Sequence, residues 1–366
     1  MTKVTVIERG AQKPTLIILL FIAVLALPIL FSSAFGAESQ HVTLPILANK
    51  TVAPRIVYIK NSRFPSLSQN ELRAVVAHAA RLVKNHFDIT ITQPQAIKVL
   101  NIDTVFADLV TKTPKDFDQL IGDFKNDDVD WPTITEMLIK QIHQQETSLD
   151  DQMAFVRPYL MPQLTPHDLA SFAQAITDTF KARLKLWATA TLQDGYPMIG
   201  SVPGRADLPL NEYGFWALMA KEGFPAEIIL TNQLVASVEY IPIPVHTSIR
   251  GGITGGSTEY NPASTLGSSV WVSLAPFLLK NAELDKLRDN LPLNKAEALQ
   301  AAGTMLAHEL GHQLLHLNHP WKNPACLMRP AEVLKFSSWR KNLKAQKCPL
   351  SSEPAMTPGS IKIPIW

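Results

Sequence analysis

Leu72, Val75, Val76, Ala79, Leu82 and Val83 recur every three or four positions, which predicts an amphipathic helix with one buried face. Ser68 and Glu71 have the spacing of a capping box and place its start. Upstream, Arg55 to Lys60 alternates as a strand, and downstream Asp88 to Thr92 reads as a second one. A strand, a helix and a strand in that order predict a right-handed crossover joining parallel strands. From about Thr111 to Leu192 the period becomes helical, with segments over Thr133 to Gln145 and beyond Thr165, an N-cap followed by Pro166. In the second segment Leu169, Phe172, Ile176, Phe180, Leu184 and Trp187 form one stripe, read as core. Strand character returns at Glu227 to Thr231, Val235 to Ile241 and Ser269 to Ala275, with a glycine-rich edge around Ile253 to Tyr260 between the last two. A final long helix is predicted from Lys295 to Leu317.

The amino terminus follows a different pattern. Lys3, Arg9 and Lys13 precede an uncharged apolar run from Leu16 to Phe31, and small residues follow at Ala34 and Gly36. That is the plan of an export signal, with cleavage expected after Gly36; the alternative is an uncleaved membrane anchor. The expected organisation is therefore a signal over 1–36, a first part of the main domain over 37–95, a mainly helical insertion over 96–219, the core over 220–345 and a tail over 346–366. With 34 basic and 32 acidic residues the formal net charge is +2, which gives nucleic acid no electrostatic footprint. Membrane contact is expected only through an uncleaved amino-terminal segment. The two cysteines, Cys326 and Cys348, are expected to pair outside the cytosol.

The candidate chemistry is His308-Glu309-Leu310-Gly311-His312. Histidines four apart share a helix face and can grip one zinc ion, while the glutamate between them projects towards the ion's open position. There it would act as general base on a water made acidic by the metal. A third protein ligand is needed, and His316, His319 and Glu332 follow. If the helix continues, His316 sits two turns past His308 and about 12 Å along the axis, too far to converge. Asn318 can take a left-handed conformation and Pro320 blocks further helix, so His319 can swing back; it is favoured, with Glu332 as the alternative. The remaining histidines, His78, His86, His143, His167 and His246, have no ligand spacing and are read as surface or singly hydrogen-bonded.

With these residues in view, the segment 305–330 resembles the metzincin clan of zinc peptidases, and is most similar to the archaemetzincin branch, where Cys-x-Met closely follows the third histidine. The resemblance implies an α/β (α+β) zincin-like fold, with a mixed twisted sheet and an active-site helix. It makes Met328 the apolar floor of the site. Leu315 stands where that clan has its helix-breaking glycine, and Asn318 where it has the third ligand, with His319 one place later. The position two after Met328, which carries a tyrosine in some branches, is Pro330. The expected activity is zinc-dependent hydrolysis of peptides or proteins by an exported enzyme. The rivals are an amidase for non-protein or cell-wall substrates and a binding protein that keeps the scaffold without turnover.

Overall fold

The computed structural model describes residues 40–42, 44, 46–47, 50–113, 130–145, 147–161, 163–193, 201–202, 205–209, 212–235, 245–280, 282–285, 293–321, 323, 325–330, 334–343 and 347–365. The expected signal segment and Glu332 lie outside these residues, as does all but the first residue of the strand expected over Val235 to Ile241. Everything below concerns the compact unit His41–Trp366.

A five-stranded mixed sheet organises the chain. Strand β1 (Ile56–Lys60) is flanked by parallel neighbours β2 (Lys98–Asn101) and β3 (Ile228–Thr231); β3 pairs in parallel with β5 (Ser268–Ser273), and β5 pairs antiparallel with the edge strand β4 (Gly256–Tyr260). Side chains alternate between two cores. Ile56, Tyr58, Ile228, Leu230, Val270 and Val272 face one apolar cluster, and Val57, Ile59, Ile229 and Trp271 face the other. Burial on both faces explains why β3 and β5 are apolar or small throughout, without polar alternation.

On the first face lie helix α1 (Gln69–Phe87) and helix α7 (Lys295–Leu315), packed side by side. Both start with the reciprocal capping box, Ser68 with Glu71 and Asn294 with Glu297, each contributing about 1 kcal/mol. The second face is covered by α2 (Ile102–Lys112) and α6 (Glu212–Lys221), whose Phe215, Trp216 and Met219 pack under Trp271. Helices α3 (Trp131–His143), α4 (Leu149–Val156) and α5 (Leu169–Gln193) extend the first core, and the stripe from Phe172 to Trp187 is buried there. The fold is a mixed α/β one built on a mixed sheet.

Three details depart from the sequence reading. The parallel partner of β1 after α1 is β2; Thr90–Ile91 forms only a two-residue pair with Thr51–Val52. The strand at Lys98–Asn101 also means that the sheet reaches into the stretch expected as helical insertion. Its side chains are exposed or half-buried, as suits an edge, so it has no apolar run to announce it. Helix α5 starts at Leu169 because the side chain of Asp168 accepts from Ser171 N at 2.7 Å, a stronger cap than Thr165 offers.

Two histidines of α1 predict how the fold responds to acid. Burial pushes His78 and His86 down to about 4, helped for His78 by the neighbouring Arg81 and for His86 by Lys347. Below the ordinary imidazole value of about 6.5 the unfolded chain takes up protons that these rings refuse until about pH 4, so stability is lost across that window and is level above it. Discounted for partial exposure, the melting temperature of the metal-free protein should fall on the order of 5 °C between pH 7 and 5. Scanning calorimetry across that range measures it, and a constant melting temperature contradicts the assignment.

Candidate metal centre

Helix α7 is buried all round near its end, where His308, Glu309 and His312 are 1%, 4% and 9% exposed. Such helices need a small residue where they meet neighbours. Gly311 is one: a Cβ there would lie 2.3 Å from the sulfur of Met328 and 3.1 Å from the ring of Phe87. The Met328 thioether therefore packs directly against the turn between the two histidines. The turn 326–328 is itself held by the Cys326–Cys348 pair, which lies at disulfide distance with Cα atoms 4.8 Å apart, and by Trp339 Nε1 donating to Cys326 O at 3.0 Å.

The helix stops at Leu315, two residues earlier than the periodicity suggests. His316 takes the left-handed cap conformation (φ 52°, ψ 44°) and its N–H closes on His312 O at 3.0 Å. The left-handed stop is thus His316 and not Asn318. From it the chain turns back, and His319 returns to the helix face. The turn is clamped from outside by the segment expected as a tail: Asn318 N donates to Ala355 O at 2.8 Å, Ile361 N to His316 O at 3.0 Å, and Trp321 N to Glu353 Oε2 at 3.2 Å.

The result is a convergence of three ring nitrogens. The Nε2 atoms of His308, His312 and His319 lie 3.2, 3.2 and 3.1 Å apart pairwise. His308 Nδ1 donates to Leu327 O at 2.7 Å and His312 Nδ1 to Leu317 O at 2.6 Å. A carbonyl can only accept, so the proton of each neutral ring sits on Nδ1 and its Nε2 lone pair faces the shared point. Burial holds His312 down to about 3, opposed only by the Leu317 carbonyl, and drives His319 well below the ordinary imidazole range. Neutral imidazoles with lone pairs aimed at one another repel unless a cation sits between them. Nitrogens about 2.0–2.1 Å from a tetrahedral ion stand about 3.3 Å apart, close to what is seen. His308, His312 and His319 can therefore hold a metal ion. His316 is outside the group.

Glu309 lines the same cleft, a cavity of about 1210 Å³ that also takes in β4, the C-terminal segment and α4. A Cβ on Gly256 would lie 2.6 Å from Trp271 O and 2.7 Å from Glu309 Cγ, so the backbone of β4 rests against the glutamate. A misplacement of about 1 Å at a reacting group can cost up to about 100-fold. Gly256→Ala should lower any Glu309-dependent turnover roughly 10- to 100-fold while metal content stays at the wild-type level; unaltered turnover would show that this contact does not position Glu309.

One lining residue escapes the sequence reading altogether. His246, in the short helix Val245–Ser248, stands edge-on to His319 with ring centroids 4.5 Å apart. It is neither a surface residue nor, among the described residues, a hydrogen-bonded one, and burial keeps it well below its usual titration range. No spacing rule could place it, because 62 residues separate it from His308. Among the described residues, no helix is long and apolar enough to cross a membrane. No protein-family model, curated protein or solved structure matches this chain.

Proposed function

We propose that the protein is an exported zinc metallopeptidase of metzincin type, hydrolysing peptide bonds with Glu309 as general base. The observation that carries this reading is the meeting of three imidazole Nε2 atoms beside a buried carboxylate in an open cleft. Buried nitrogen donors with no charge of their own suit zinc over magnesium or calcium, which take oxygen ligands. Zinc held by His308, His312 and His319 would supply a Lewis acid that acidifies water and polarises a carbonyl.

The rest of the chemistry belongs to the chain. Glu309 takes the proton of the attacking water and returns it to the departing amide nitrogen, so that a carboxylate and an amine leave. Strand β4 runs beside Glu309 with Ser257 and Thr258 at the cleft, and an extended peptide would lie along it. Met328 beneath Gly311, the paired cysteines after the motif and the antiparallel edge of an otherwise parallel sheet support the metzincin reading. The cysteine pair and the amino-terminal signal pattern support export. Cleavage of a peptide library by the wild type, set beside Glu309→Gln, tests the proposal.

A further inference from the structure

The cleft holds one imidazole that the proposed reaction leaves without a task. His246 lines it together with His308, Glu309, His312 and His319, one ring away from the point where the three Nε2 atoms meet. It is not one of the three converging donors. Among the described residues the nitrogens of this half-buried ring make no hydrogen bond, whereas the rings of His78 and His86 do.

Its backbone, in contrast, is firmly held. Arg250 is 2% exposed, and its Nε donates to Ile253 O at 3.0 Å and its Nη2 to Thr247 Oγ1 at 3.3 Å, closing the segment 247–253 on itself. Helix α5 grips that segment from the side: Trp187 Nε1 donates to Arg250 O at 2.8 Å, and the Arg183 guanidinium donates to Ile249 O. A turn fixed this thoroughly, presenting a ring with a free donor to the reaction cleft, is the arrangement expected of a preorganised dipole.

We propose that His246 is a further catalytic residue that donates a hydrogen bond to the carbonyl oxygen of the scissile peptide, and that helix α5 positions it. The inference rests on the hydrolase reading above. As water adds to the carbonyl carbon, the carbonyl π pair moves onto oxygen; the N–H of His246 meets that charge and keeps its proton. Glu309 handles the water proton, and when the pair returns the C–N bond breaks with that proton delivered to nitrogen. The role differs from a ligand's, since His246 loses nothing to the metal and gains only in the transition state.

The test compares zinc-loaded wild type, His246→Ala, His246→Gln and Trp187→Phe by zinc content, steady-state kinetics on a cleaved peptide, and calorimetric binding of a phosphinic peptide and of the matching carboxylate product. Loss of one such donor typically costs about 10²–10³ in kcat. His246→Ala should therefore keep one zinc per chain, lose about 100-fold in kcat with KM within about threefold, and bind the phosphinic peptide more weakly by a similar factor with product binding unchanged. His246→Gln retains an N–H donor and should recover part of the loss. Trp187→Phe keeps the packing, releases the turn and should lower kcat less than His246→Ala. Zinc lost from His246→Ala would make it a ligand, and kcat unchanged in that variant would make it a bystander; either overturns the proposal. A wild type that cleaves no peptide sinks the hydrolase reading and His246's role with it, whereas an active wild type with an equally active His246→Ala sinks the role alone.

Discussion

Glu309→Gln is expected to reduce peptide cleavage by about 10³- to 10⁴-fold, the upper part of the range for a positioned general base, without reducing the amount of metal bound. The two halves of the expectation have separate physical causes. Glutamine has the shape of glutamate, so it can keep the contact with Gly256 and the backbone of β4, but its amide has no basicity near neutral pH. Three imidazoles converge where a metal ion could sit, and Glu309 is not among the converging atoms. Kinetics on a library-derived peptide, together with metal analysis of the same preparation, measure both. Cleavage persisting at more than a tenth of the wild-type rate would mean that another group takes the water proton. Loss of metal in the variant would instead make Glu309 part of the coordination.

The parts of this architecture that could be read from sequence are those whose cause is local. The capping box at Ser68 and the face of α1 follow from a few neighbouring residues, and they stand where expected. His308 and His312 share a face because the helix repeat makes them do so. The return of His319 was also legible, through Pro320, although the residue that breaks the helix was not: a histidine in a left-handed conformation carries no compositional signal, and the clamp that favours it arrives from residues 353–361. Strand β2 was hidden because an exposed edge of four residues needs no apolar run. His246 was invisible for a deeper reason. Its place in the cleft is set by α5 gripping segment 247–253, a contact across about sixty residues that no periodicity encodes.

Removal of the candidate metal ligands one at a time should separate the site from its alternatives. His308→Ala, His312→Ala and His319→Ala each delete one of three nitrogens that lie 3.1 to 3.2 Å apart. A full zinc site is worth roughly 10–16 kcal/mol at neutral pH, so losing one of its ligands should weaken binding by on the order of 10³-fold or more. Zinc should then be retained at one per chain by wild type through dialysis against a competing chelator and be absent from these three variants. Glu332→Ala should keep it. His316→Ala provides the internal control, because its ring lies in the same turn, is also buried, and belongs to no cluster of possible ligands among the described residues. Metal kept by His319→Ala but lost from Glu332→Ala would transfer the third position to the glutamate, and with it the resemblance from the metzincins to the gluzincins. Metal lost from His316→Ala as readily as from His319→Ala would show that the folding of the turn, clamped by the C-terminal segment, rather than the identity of its donor, decides whether the ion stays.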